Sequence, residues 1–339
     1  MHAQRWEKLR DYVLPALLVI VLFIGMVYYR PGEIPPLWFD EGWSLTVARN
    51  WVETGQYARL LEGIPISAKG MAKPISVTAP IALSFSCFGI GVWQARLPAS
   101  ISMVLAIYLI FRLVHRLYGY KMAYLALFAL LIMSLPPANP LLIGRQAIAE
   151  APLALFLIAG FYAFFAVLNG NNWAILGVIL AWGLALDSKG HTLPFWSISI
   201  LTLLMFSILH KEWRRARLIL IIGIASLIIY FLVNTTENTL IGDLPAYGSP
   251  MQGLYLVTAF VIDPDVRVII FRNYILHAIP VIVGLVYTVI QNWRKFYSPV
   301  PVSSRDYLEL ALLAMTSSWL AWFFLFSIGW GRYFFPVSF

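Results

Sequence analysis

Ala149-Glu150-Ala151-Pro152-Leu153-Ala154-Leu155-Phe156-Leu157-Ile158-Ala159-Gly160-Phe161-Tyr162-Ala163-Phe164-Phe165-Ala166-Val167-Leu168 carries one charge, at its second position, and none over the eighteen residues that follow. A helix of twenty residues is about 30 Å long, the thickness of a bilayer's hydrocarbon core. In lipid a helix satisfies its own backbone hydrogen bonds, so this stretch reads as a membrane span. Working outward, the rest of the chain repeats the pattern, with apolar blocks separated by short polar clusters. Hydrophobic residues make up 60% of 339 and charged residues 12%, with a mean hydropathy of +0.78. A soluble domain carries about a quarter charged residues, so a water-exposed surface cannot be built from this composition. Thirteen Trp and 17 Tyr suit interfacial belts.

The remaining bulk properties exclude other classes. Cys87 is the single cysteine, which rules out an intrachain disulfide and a cysteine-based metal cluster. The apolar block from Pro15 to Tyr29 follows Arg5, Lys8 and Arg10, as a signal peptide would. Arg30-Pro31-Gly32-Glu33 comes next in place of a small-residue cleavage site, so it is read as a retained helix. A net charge of +8 without a basic run or stripe gives no nucleic-acid footprint.

The expected architecture is all-α and polytopic, with about nine transmembrane helices plus extracytoplasmic juxtamembrane helices. The spans are placed near 12–29, 98–117, 121–137, 149–168, 172–187, 191–210, 216–233, 267–290 and 307–328. A tenth apolar block, 76–92, would put the later basic loops on the wrong side if it crossed, so it is expected to lie along the outer surface or re-enter. On that parity the cytoplasmic side holds 13 of the 24 Lys and Arg, including the cluster Lys211-Glu212-Trp213-Arg214-Arg215. The outer segments are 30–97, 138–148 and 234–266. No linker, low-complexity tract or repeat appears, so residues 1–339 are read as one membrane-embedded domain whose first outer loop, 30–97, carries the chemistry.

Within that loop Trp38-Phe39-Asp40-Glu41-Gly42-Trp43 is the densest candidate. A carboxylate among aromatics at a membrane surface is partly desolvated, which suits a general base. Equally, Asp40 is placed to N-cap a helix beginning near Glu41, and Glu41 to pair with a cation. Other segments carry charge at helix mouths. Ala72-Lys73-Pro74-Ile75 precedes an apolar stretch ending in Phe88-Gly89, and Ala95-Arg96-Leu97-Pro98-Ala99 and Arg116-Leu117-Tyr118-Gly119 bracket the next block. Gly144-Arg145-Gln146-Ala147-Ile148-Ala149-Glu150, Ser188-Lys189-Gly190 and Gly331-Arg332-Tyr333 follow. Each has an ordinary explanation: interfacial snorkelling for Lys73, Lys189 and Arg332, dipole complementation for Glu150, and pairing with Glu150 for Arg145.

Together and in this order, these segments resemble the C-type glycosyltransferases, nearest the group of protein O-mannosyltransferases, the lipid A aminoarabinose transferase and lipopolysaccharide galacturonosyltransferases. The likeness spans nearly the whole chain, with two departures: Ile75 stands where a second proline is usual, and Glu150 where an Asp is usual. Members of the family continue beyond the Arg-Tyr motif, so the resemblance also implies a C-terminally short chain. It implies a polyprenyl-phosphate-linked sugar as donor, the lipid bilayer as its solvent, and an acceptor hydroxyl on a protein, a lipid or a glycan. Asp40, Glu41 and Glu150 then take catalytic roles, and Lys73, Arg145, Lys189 and Arg332 hold the donor phosphate. The chemistry is inverting hexosyl or pentosyl transfer, at the extracytoplasmic face of the plasma membrane, with these separated groups gathered in one crevice.

No metal is expected. Asp263-Pro264-Asp265 has the form of a metal-binding Asp-x-Asp but reads better as a turn, and the histidines lack ligand spacing. The rival class is a transporter or flippase, which would place ionisable residues mid-membrane, whereas here they gather at helix ends.

Overall fold

The computed structural model describes residues 13–30, 32–67, 74–132, 135–244, 260–297 and 302–338. Among these residues the fold is all-α apart from one two-stranded hairpin. Among the described residues six helices are long and apolar enough to cross a membrane. The chain divides into two compact units: residues 1–158 with 233–247, and 159–232 with 248–339.

In the first unit α1 (Leu14–Tyr28) packs against α4 (Val92–Tyr118), which also packs on α3 (Ile75–Phe88) and α5 (Tyr120–Leu131). The helix α2 (Phe39–Thr54) lies on α3 and on β1 (Ala58–Leu61). Along α4 the buried positions Ala95, Ala99, Met103, Ala106, Ile107 and Ile110 recur every three or four residues, one face of a helix. Small side chains let the elements approach closely: Ala48, Ala82, Ala95, Ala147 and Ala149 share one core with Val77, Ile81 and Phe85. The sequence motifs give no strand, yet β1 pairs antiparallel with β2 (Ile64–Ser67), Arg59 opposite Ile66. Their two-residue loop, Glu62-Gly63, has φ of +52° and +83°, the conformation whose twist matches a hairpin.

The block placed along the surface is α3, fourteen residues or about 21 Å, too short to cross on its own. The span expected at 121–137 is shorter: α5 stops at Leu131, and Pro136-Pro137-Ala138 forms a 3-10 turn before the four-residue α6 (Pro140–Ile143). Consecutive prolines cannot donate to a helix ladder, which explains why it does not resume there. Conversely α4 begins six residues earlier than its expected start, with Pro98 inside it; the Gln94 carbonyl, which Pro98 cannot serve as a donor, accepts from Ser84 Oγ at 2.7 Å.

The helix α7 (Glu150–Leu168) starts in the first unit. The second holds α8 (Ala174–Ser188), α9 (Thr192–Leu209), most of α10 (Trp213–Ile241), α11 (Pro264–Tyr297), α12 (Ser304–Leu325) and the short α13 (Phe335–Ser338). Its core is aromatic: Trp182 stacks edgewise on Phe161 and Trp196, and Phe195 lies 4.5 Å from Trp319. Ser199 Oγ donates to the Ala311 carbonyl at 2.8 Å, pinning α9 to α12. Asp263 Oδ1 accepts the Asp265 N–H at 2.9 Å just ahead of α11, so the Asp-Pro-Asp triplet is a helix-start turn, as the sequence favours.

Candidate active site

The first turn of α2 runs Phe39, Asp40, Glu41 after an extended Trp38. Asp40 is therefore the second helical residue and not the N-cap, and the capping alternative fails. The side chain that reaches back is Glu41, whose Oε2 accepts the Trp38 N–H at 3.0 Å. The two adjacent acids then part. Asp40 stays half-buried, while Glu41 is fully buried, at 0% exposure.

Glu41 is held on four sides. Arg96 Nε donates to its Oε1 at 2.9 Å and Arg96 Nη2 to its Oε2 at 2.8 Å, a bidentate pair. The Ala147 N–H donates to Oε1 at 2.8 Å, which adds the loop after α6 to the junction. One carboxylate thus joins the starts of α2 and α4 to the segment leading into α7. Arg96 is itself only 2% exposed, so the pair is desolvated on both sides. The sequence contains Arg96 within a motif but does not name its partner. The available signal is a cation one turn into a stretch with no further charge until Arg112, which demands a buried acid.

Arg145 and Glu150 belong to the same unit. The Arg145 guanidinium donates to the Tyr29 carbonyl and lies 5.7 Å from the Tyr29 ring, with Met26, Val27, Trp93, Leu97 and Ser100 lining the crevice around it. Burial first, and the nearby Arg96 cation second, hold its pKa below the usual arginine value. Gly144 makes this approach possible, since a Cβ there would sit 2.4 Å from Met26 Cε and 2.5 Å from Met103 Cβ. Ser100 Oγ fixes the same turn by donating to the Gly144 carbonyl at 3.1 Å. Glu150 opens α7 and is 2% exposed, an acid at the positive end of a helix as dipole complementation requires. Lys73 lies outside the described residues.

Lys189 and Arg332 belong to the second unit, and there the fold brings them together. Lys189 Nζ is 4.6 Å from the Tyr333 ring centroid, and the Arg332 guanidinium is 5.9 Å from the same ring and 4.8 Å from Trp330. Tyr333 is in turn fixed, its carbonyl accepting from Trp319 Nε1 at 2.9 Å. Burial lowers the Arg332 pKa, with Tyr333 acting in the opposite sense. His191, which the sequence gives no reason to choose, joins this cluster 5.5 Å from Tyr333 and 6.3 Å from Trp322. Among the described residues no group of three or more His, Cys, Asp or Glu could hold a metal ion.

Comparison with known proteins agrees with the sequence motifs. Residues 72–236 match the family model of dolichyl-phosphate-mannose-protein mannosyltransferases. No curated protein sequence matches the chain. Among solved structures, ArnT from Cupriavidus metallidurans in the apo state superposes with a TM-score of 0.63 at 15% identity, over 100% of this chain and 58% of that one. The same protein bound to undecaprenyl phosphate gives 0.60 at 16% identity, over 96% and 57%. The chain thus spans somewhat more than half the length of the structures it resembles. The chain has the C-type glycosyltransferase fold seen in ArnT, and its residues 72–236 carry the sequence likeness of the dolichyl-phosphate-mannose-protein mannosyltransferases.

Proposed function

We propose that this chain is an inverting glycosyltransferase that moves a sugar from a polyprenyl-phosphate donor to an acceptor hydroxyl at the extracytoplasmic face of the plasma membrane. The observation that carries the reading is the division of labour between two adjacent acids. Glu41 is consumed by Arg96, Ala147 and Trp38, and so fixes the turn on which Asp40 stands half-buried. Glu41 is accordingly a positioning residue in this proposal, in place of the catalytic role its motif suggests.

Asp40 takes the proton of the acceptor hydroxyl as its oxygen attacks the anomeric carbon. The bond from that carbon to the phosphate oxygen breaks, and polyprenyl phosphate departs carrying the electron pair. Attack from the face opposite the phosphate inverts the centre. The departing phosphate gains charge in a medium of low dielectric, where fixed cations act most strongly. Lys189 and Arg332 suit that task because aromatic rings hold both in place, and desolvation of Arg332 raises the gain from an anion. The family resemblance of their motifs assigns Lys73 and Arg145 to the donor phosphate, and Glu150 to a catalytic role, here orienting the acceptor. The structural neighbour bound to undecaprenyl phosphate supports a lipid phosphate as the leaving group. Transport is the weaker reading: Thr192–Leu209 and the part of α7 after Glu150 contain no Asp, Glu, Lys or Arg to line a pathway.

The test uses membranes expressing wild type or Asp40→Asn, incubated with radiolabelled polyprenyl-phosphate sugars. Wild type should label an acceptor and the variant should not, at equal expression. Transfer by Asp40→Asn at a near-normal rate would remove Asp40 from the mechanism.

A further inference from the structure

Arg59, on β1, is 1% exposed and one of the largest side chains fully enclosed by the fold. Its guanidinium carbon lies 4.3 Å from the Trp43 ring centroid, and Nη2 donates to the Ser67 carbonyl at 3.2 Å. Trp43 stands three residues after Asp40, so the two side chains are neighbours along one face of α2. Phe39 closes the other side of that turn, edge-on to Trp43 at 5.2 Å. Enclosing a cation is costly, and an aliphatic side chain would fill the same space without desolvation. An arginine at this position therefore delivers a charge to the turn and not merely volume.

We propose that Arg59 is a positioning residue for Asp40: stacked on Trp43 and tied to Ser67, it fixes the Asp40 turn and supplies the standing positive charge that keeps the carboxylate ionised. The inference rests on the reading of Asp40 as the base. Charged groups on elements packed against α2 set the background. Glu41 is neutralised by Arg96, and Arg49 pairs with Glu53 at the far end of the helix. On α3 no Asp, Glu, Lys or Arg occurs. Glu237 lies near the end of α10, whose Ile241 packs on Val47 and Tyr57.

The chain contains seven Asp residues, so carboxyl-labelled aspartate gives a countable NMR spectrum in which Asp40 is assigned as the signal lost in Asp40→Asn. Titrating that signal needs no sugar donor. In purified Arg59→Gln the Asp40 carboxylate should protonate at a pH higher than in wild type by about 1–3 units. Arg59→Lys keeps a charge without the planar stack, and should titrate close to wild type while its transfer rate falls. Equal titration of Asp40 in wild type and Arg59→Gln would overturn the proposal, as would the same upward shift in Arg59→Lys. If Arg59→Gln does not fold, Arg59→Met, which keeps the apolar length without the charge, makes the same comparison, since a purely steric plug predicts an unshifted Asp40 titration in it. Activity of Asp40→Asn membranes reports separately on the proposed function, so the two ideas fail by different measurements.

Discussion

Glu41 and Arg96 show how one buried ion pair organises a membrane-surface site. Removing one partner of a buried pair leaves an uncompensated charge, which costs about 3–5 kcal/mol. Glu41→Gln should therefore lower the thermal midpoint of the purified protein strongly, and Arg96→Met should do the same. The double variant should recover part of the loss, since no lone charge remains, and strictly additive losses would mean the pair is not coupled. This junction was only partly legible in the sequence. The acids at 40 and 41 stand out by composition, but which one faces inward depends on an arginine fifty-five positions away. Arg59 was hidden for a different reason: its role comes from a hairpin whose turn, Glu62-Gly63, is weaker than the Asn-Gly or Asp-Gly signals that announce such loops.

At the level of elements, apolar block length placed all six helices long enough to cross among the described residues, while the spans expected near 12–29, 121–137 and 172–187 contain helices of 15, 12 and 15 residues. Its errors fall at ends, where proline and local packing decide. The 121–137 stretch is apolar throughout its first half, yet α5 ends at Leu131 ahead of Pro136-Pro137. The closest approach in the site region is also invisible to periodicity. Gly144 lets its turn pass Met26 of α1 and Met103 of α4, whereas Gly25, in α1, has nothing within 4 Å of where a Cβ would stand. Gly144→Ala should accordingly destabilise the protein by about 1–3 kcal/mol through overpacking, while Gly25→Ala should be neutral or slightly stabilising. Equal unfolding midpoints for the two variants would show that Met26 and Met103 yield without cost.

For the whole molecule the decisive question is which helices cross, and α3 is the one that sets the parity of everything after it. Its fourteen residues carry an internal proline, Pro80, and one face is buried on Ala48, Ala95 and Ala147. A helix of that length lying at the outer interface keeps Lys211 to Arg217 on the cytoplasmic side with the other short basic loops, whereas a crossing α3 inverts them. The protein supplies its own probe, because Cys87 is exposed, one residue before the end of α3. A membrane-impermeant maleimide added to intact cells should label Cys87 from outside. In a Cys87→Ser background, Glu212→Cys should react only after the cells are permeabilised. Labelling of Cys87 only after permeabilisation would place α3 across the membrane and reverse the later loops. Failure of Cys87 to react from either side would put the helix end within the hydrocarbon and remove the interfacial placement. A crossing α3 would leave Asp40, which precedes it, on the outer side and carry the later loops, with Arg145 and Glu150, to the other.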